Sequence, residues 1–199
     1  MIYLNNYGWN DKLSQLKQES TYNALTHGRI SIVHRTCYEV VSENGLFQCE
    51  LTGNMMYGKS DFELPCTGDW VLFQPFDEHK GIIVDMLPRE RTLYRKKNGT
   101  VADKQAIASY VDKAFIVQSL DDNFNVRRAE RFMVQMQEEN INPVLVFNKA
   151  DLGFDEQKVE EQIRHIARQI PVFFTSIHQP QTILQLRESI SAGETVVFV

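Results

Sequence analysis

The chain has 199 residues, 43% hydrophobic and 24% charged, with a formal net charge of −5. That is room for one large or two small globular domains, and the acidic balance excludes a uniformly basic nucleic-acid binder while leaving space for a local basic patch. No apolar run approaches the length of a membrane span, and Met1-Ile2-Tyr3-Leu4-Asn5-Asn6 has neither the basic region nor the apolar core of a signal peptide, so a cytoplasmic protein without membrane contact is expected. Cys37, Cys49 and Cys66 are odd in number and lack ligand spacing, which suits free thiols in a reducing compartment and no metal site.

Residues 1–24 read as an N-terminal arm: an extended lead, then a short helix capped by Asn10 or Asp11, with Leu13 and Leu16 as its apolar face. Tyr7 and Trp9 are expected to pin this arm to a neighbour. From residue 25 to residue 93 the periodicity is two. Strands are predicted near 28–35, 37–42, 46–53, 69–75 and 80–87, with Asn44-Gly45 as a hairpin turn. Five short strands with one long connection, 54–67, predict a small closed barrel of the OB type. Such barrels often bind single-stranded nucleic acid through an aromatic face. Tyr38, Phe47, Trp70 and Phe73 are the candidates, and Trp70 and Phe73 are expected to fill the barrel instead.

Residues 94–106 read as a basic linker. Pro88 ends the last barrel strand, and Arg89, Arg91, Arg95, Lys96 and Lys97 follow within nine residues, opposed only by Glu90. Asn98-Gly99 is a turn. The basic cluster is a candidate RNA-phosphate contact, with a solvated linker as the alternative.

From 107 to 199 strand and helix alternate. Strands are predicted at 114–117, 143–147, 172–174 and 195–199, and helices near 126–140, 155–169 and 181–191, with Asn125 as an N-cap and Ala129, Phe132, Met133 and Met136 at helical spacing. This rhythm predicts a parallel α/β sheet with right-handed crossovers. Its informative stretch is Pro143-Val144-Leu145-Val146-Phe147-Asn148-Lys149-Ala150-Asp151. An apolar run without alternation is a strand buried on both faces, and the polar tetrad falls at its carboxyl end, where open α/β sheets bind ligands. Asn-Lys-x-Asp suits guanine. The Asp151 carboxylate can accept from both the ring N–H and the exocyclic amino group, the Asn148 amide can reach the far edge, and the Lys149 stem can lie along the ring. Thr175-Ser176-Ile177 should emerge at the same edge, its backbone N–H groups facing the guanine carbonyl and Ser176 bracing Asp151.

Gly53-Asn54-Met55-Met56-Tyr57-Gly58-Lys59-Ser60 satisfies the spelling of a phosphate-binding loop. The context is wrong for one. The preceding strand alternates like a barrel strand, and Pro65 and Gly68 leave no room for a helix starting at Lys59-Ser60. It is expected to be a decoy.

The arrangement resembles the ribosome small-subunit-dependent GTPase A family, the RsgA/YjeQ family of circularly permuted GTPases. The residues that carry the resemblance are Tyr7-Gly8-Trp9-Asn10, Pro65-Cys66-Thr67-Gly68-Asp69-Trp70-Val71, Leu87-Pro88-Arg89-Glu90-Arg91-Thr92-Leu93 with Arg95-Lys96, Gln105-Ala106-Ile107-Ala108-Ser109-Tyr110-Val111-Asp112, Asn123-Phe124-Asn125, Glu130-Arg131-Phe132 and Asn148-Lys149-Ala150-Asp151-Leu152. The family usually has Asn where Tyr110 stands. The resemblance implies an OB domain that contacts ribosomal RNA, a role in late maturation of the 30S subunit, and a permuted G domain, here 107–199, that binds GTP or GDP with Mg2+. Zinc is implied only for a C-terminal domain outside these residues. The guanine motifs come first in such a domain and the phosphate loop follows, so residues 1–199 are expected to hold the guanine-recognition half and no catalytic residue, and by themselves not to hydrolyse GTP. The alternative is a non-catalytic RNA-binding OB module with the α/β half as a docking scaffold.

Overall fold

The alternation of apolar and polar residues between 26 and 86 closes into a barrel. In the computed structural model, which describes residues 1–96, 104–121, 124–166 and 170–199, helix α1 (Asp11–Glu19) precedes strands β1 (Thr26–Val33), β2 (Tyr38–Ser42) and β3 (Gly45–Leu51). A four-residue helix, α2 (Gly53–Met56), then leads towards β4 (Trp70–Asp77) and β5 (Lys80–Met86). The strand order is β1-β2-β3-β5-β4 with β4 returning to β1, and β3 runs parallel to β5. This is the OB topology, and all five predicted strands are present within two or three residues. Alternate residues Phe47 and Cys49 of β3 point inward to Ile30, Val40, Val71, Phe73 and Ile83, while Leu46, Gln48 and Glu50 face out. The barrel is narrow enough that a Cβ on Gly28 would lie 2.5 Å from Val40 Cγ1 and 2.6 Å from the Val41 carbonyl. Close backbone approach, and not turn geometry, therefore requires glycine there.

The N-terminal arm covers one end of the barrel. Asn10 caps α1 by accepting from the Leu13 N–H at 3.1 Å, and Leu4 and Leu13 are buried against Trp70, Leu72 and Leu87. Trp9 sits edge-on to Trp70 with ring centroids 4.8 Å apart. Tyr7 differs from expectation: its ring is exposed, and it is its carbonyl that is used, as acceptor from the buried Arg29 guanidinium.

The stretch read as a linker contributes an antiparallel ribbon, β6 (Leu93–Lys96) with β7 (Lys104–Ala108), paired from Leu93 opposite Ala108 to Lys96 opposite Lys104 with a register shift between Leu93 and Tyr94. It belongs to a compact unit spanning Met1–Val111. Lys97 and the Asn98-Gly99 turn lie outside the described residues.

A second compact unit spans Asp112–Val199. Strands β8 (Lys113–Ser119), β9 (Asn142–Asn148), β10 (Val172–Thr175) and β11 (Val196–Phe198) form a sheet of order β10-β9-β8-β11, parallel throughout. Helices α3 (Val126–Glu138), α4 (Glu156–Ile163) and α5 (Pro180–Glu188) connect them. The continuous apolar runs have the physical basis expected of a doubly covered sheet. Ile116, Leu145 and Phe147 pack on the α3 and α4 side with Ala129, Val159 and Ile163. Their neighbours Phe115, Val144 and Val146 pack on the other side with Leu186 and Ile190. Asn125 does precede α3, but its side chain makes no capping bond. The Gln118 amide instead pairs with the Asn125 backbone, accepting at 2.9 Å and donating at 3.0 Å.

Candidate functional site

Three parallel strands end at one edge of the second unit's sheet, and the tetrad is built there. The β8–β9 register sets Ser119 opposite Asn148, and the β9–β10 register sets Asn148 opposite Thr175. The Thr175 hydroxyl donates to Asn148 Oδ1 at 3.3 Å, leaving the Asn148 amide nitrogen as its donor. After Asn148 the backbone turns through Lys149, which holds φ 64° and ψ 34°, a left-handed conformation rare for a residue with a Cβ. A 3-10 turn over Ala150–Leu152 then presents Asp151 in the open.

Ser176 is fully buried, and its hydroxyl donates to Asp151 Oδ1. The same oxygen accepts from the His178 N–H at 3.0 Å, so the hydroxyl proton is directed at the carboxylate. That bond holds the Asp151 carboxyl below its ordinary pKa and keeps it an acceptor. Since each carboxylate oxygen has two acceptor sites, capacity remains for two further N–H groups. Thr175-Ser176-Ile177 supplies fewer backbone donors than the sequence suggests. The Ser176 N–H is already bound by Thr182 Oγ1 at 3.1 Å, because α5 folds back over the loop. Among the described residues no group accepts from the exposed Ile177 N–H.

Two residues at this edge escaped the sequence reading. Asp121, just past β8, pairs through Oδ2 with the Lys149 ammonium at 2.7 Å, and Ser119 Oγ donates to Asp121 Oδ1 at 2.7 Å. Thr182 is the other. The only cue for either was adjacency to a strand or helix end. An open cleft of about 610 Å³, lined by Leu120, Asp121, Phe124, Leu152 and Phe154 among others, lies beside the tetrad, with Asp121 bordering both. Among the described residues no three His, Cys, Asp or Glu side chains gather as a metal site. Burial pushes the Cys49 and Cys66 thiols up to about 12.

In the first unit the basic cluster separates. Arg89 is a structural residue. Its guanidinium is bound by the fully buried Asp69 carboxylate, with Nε–Oδ1 at 2.9 Å and Nη2–Oδ2 at 2.6 Å, and also by the Phe62 and Leu64 carbonyls. Its donors are engaged inside the unit, which removes it from any surface that meets RNA. Arg91 donates to the Val111 carbonyl at 3.0 Å and lies 3.5 Å from Glu90. Arg95 is exposed on β6, its Nε bonded to Gln105 at 2.9 Å. Lys96 is on the same strand, and Lys97 is outside the described residues. Arg95 lines an open cleft of about 500 Å³ with His34, Arg35, Tyr38 and Gln105. Arg35 was missed because it is isolated in sequence and joins Arg95 only through the barrel. Of the four barrel aromatics, Phe47, Trp70 and Phe73 are buried, and Tyr38 alone borders this cleft.

The phosphate-loop spelling folds otherwise. The helix it contains is α2, at its start, and no helix follows Lys59-Ser60. Lys59 Nζ lies 3.6 Å from the Glu63 carboxylate, and the Ser60 N–H and Oγ donate to it at 2.9 and 2.8 Å. A carboxylate of the chain itself takes the donors a phosphate would need.

A family model described as RsgA GTPase matches residues 86–199. A protein of Bacteroides thetaiotaomicron named small ribosomal subunit biogenesis GTPase RsgA 1 is 73% identical, covering 97% of this chain and 54% of its own. A Methanosarcina acetivorans protein named small ribosomal subunit biogenesis GTPase RsgA is 32% identical, covering 96% and 51%. The chain thus spans about half the length of the curated relatives it matches. Among solved structures, YjeQ from Thermotoga maritima superposes with a TM-score of 0.65 at 23% identity, covering 87% of this chain and 59% of that one. YloQ, described as a circularly permuted GTPase, gives 0.60 at 21%, covering 91% and 61%. These two share the fold, an OB barrel followed by part of a permuted GTPase sheet. A family match over 86–199 and a relative 73% identical across 97% of the chain establish that it belongs to the RsgA GTPase family.

Proposed function

We propose that these residues belong to a GTPase of small-subunit biogenesis that acts late in 30S maturation in the cytoplasm, and that they supply its base-reading half-site and its RNA-facing barrel. The Ser176–Asp151 contact carries the reading. A buried hydroxyl, oriented by a backbone N–H, fixes an exposed carboxylate in its ionised form, which is the state that accepts the ring N–H and exocyclic amino group of guanine. Asn148, oriented by Thr175, offers its amide to the far edge of the base, the Lys149 stem covers the ring face, and the Ile177 N–H is the loop donor left for the guanine carbonyl. Adenine lacks the paired donors. Phosphoryl transfer rests on positioned phosphate and metal, and the phosphate-like spelling at 53–60 is closed on Glu63. We therefore assign residues 1–199 base selection and not hydrolysis.

Substitution tests the guanine assignment directly. Asp151→Asn replaces one acceptor by an amide donor, so it should weaken GMP by about tenfold or more and favour XMP, whose carbonyl replaces the exocyclic amine. An NMR titration in which Asp151→Asn keeps the GMP-over-XMP preference would sink the assignment.

For the barrel, the cleft with Arg35, Arg95 and Tyr38 supports ribosomal RNA as partner, with Arg91, Lys96 and Lys97 on the same basic run. Each phosphate contact contributes about one to the slope of log K against log salt. The double substitution Arg35→Glu and Arg95→Glu should lower that slope by about two for 30S-derived RNA. An unchanged slope and affinity at low salt would remove this surface from the reading.

A further inference from the structure

We propose that Asp121 is a positioning residue of the guanine site: it holds the Lys149 ammonium so that the lysine stem is set in place before the base arrives. The inference rests on the guanine reading above. Lys149 Nζ meets Asp121 Oδ2 at 2.7 Å. Asp121 is itself tied, its other oxygen accepting from Ser119 Oγ at 2.7 Å. Ser119 is the last residue of β8 and lies opposite Asn148 in the parallel ladder, and the Leu120 N–H donates to the Asn148 carbonyl at 2.9 Å. The end of β8 is thus strapped to the start of the tetrad by backbone and side chain alike.

The lysine is about half exposed, at 49% for its side chain. Without a tether its four side-chain torsions would scatter through solvent, and a base packing on the stem would have to select one arrangement from many. The Asp121 contact makes that selection beforehand. It also sets the chemical character of the contact: with the ammonium paired, Lys149 meets the base through its methylenes and not as a free charge. An exposed ion pair of this kind adds little to folding stability, so its consequence should appear in base affinity.

The test is a double-mutant cycle on the 199-residue chain, read by NMR titration with GMP and by thermal unfolding. Asp121→Asn should weaken GMP about fivefold, the scale of one immobilised flexible side chain. Lys149→Met should weaken it at least as much, and the double variant should be no weaker than Lys149→Met alone. All three should melt within about 2 °C of the parent, as surface changes do. Asp121→Asn within experimental error of the parent, or losses that simply multiply, would overturn the proposal, and so would a GMP loss that appears only with a large drop in melting temperature. Asp151→Asn separates the two levels. If it abolishes the guanine preference while Asp121→Asn has no effect, the positioning role fails alone. If Asp151→Asn also has no effect, the guanine reading fails and takes the positioning role with it.

Discussion

Single residues with unusual backbone geometry show where the fold makes demands that side chains must meet. Tyr110 holds φ 54°, a region that favours Asn over bulky residues. The tyrosine is retained by what it touches. Its ring is buried with Trp70, Leu72 and Leu87, and its hydroxyl donates to the Pro88 carbonyl at 2.6 Å. Relief of left-handed strain is worth about 1 kcal/mol, against about 3 kcal/mol for losing a buried aromatic side chain. Tyr110→Asn should therefore destabilise the first unit by about 2 kcal/mol, and Tyr110→Phe by about 1 kcal/mol, both measured by urea unfolding. An Asn variant more stable than the parent would show that strain outweighs packing. His27 gives a pH signature on the same surface. Burial, and then the Lys17 ammonium against its Nδ1, holds its pKa below the ordinary value, while Nε2 is buried with no partner among the described residues. The unfolded chain then binds the proton more tightly than the folded one. The stabilising effect is full above the unfolded value of about 6.5 and is lost as pH falls through the depressed folded value. His27→Gln should flatten the loss of urea midpoint just below pH 6.5. An identical slope in parent and variant there would mean that another group governs it.

At the scale of elements, periodicity was a sufficient guide wherever a strand or helix buries one face. The five barrel strands were legible for that reason, the β9 run because unbroken apolarity marks a strand covered on both faces, and Asn10 was legible as a cap because its chemistry is local. The β6–β7 ribbon was not. Its strands carry Arg95 and Lys96, so charge suggested a linker, and its pairing partner is supplied by a segment about ten residues on. The clamp that ties the 58–68 loop to the barrel was hidden for the same reason: Asp69 and Arg89 are twenty residues apart and meet only after β4 and β5 close. The fully buried Asp69 also accepts from the Cys66 N–H at 2.7 Å. Removing one member of such a pair leaves a buried charge unmatched, at a cost of about 3–5 kcal/mol. Asp69→Ala should lower first-unit stability by that amount, and Arg89→Met should cost at least as much, because it leaves the fully buried Asp69 carboxylate without its counter-charge. A loss in Asp69→Ala far below that in Arg89→Met would indicate that the carbonyl contacts of Arg89, and not its pairing with Asp69, hold the loop.

Across the whole molecule, which side chains gather at the sheet edge is decided by where loops meet, and that depends on strand order. Asn148, Lys149, Asp151 and Ser176 were visible in sequence because each follows an apolar run. Asp121 and Thr182 were not, because a Ser-Leu-Asp triplet and a helical threonine carry no mark of the edge they reach. The phosphate-loop spelling shows the converse: a complete motif in residues 53–60, set between a barrel strand and a turn, whose lysine and serine turn to Glu63. If the tetrad reads the base and the 53–60 segment binds no phosphate, affinity in the 199-residue chain comes from guanine alone. Guanosine, GMP and GDP should then bind it within about threefold of one another, in the millimolar range expected of a few hydrogen bonds and one stacked face. Lys59→Ala should leave all three unchanged. GDP binding a hundredfold tighter than guanosine would place a working phosphate site within these residues, and loss of that difference in Lys59→Ala would locate it at the segment assigned here to Glu63.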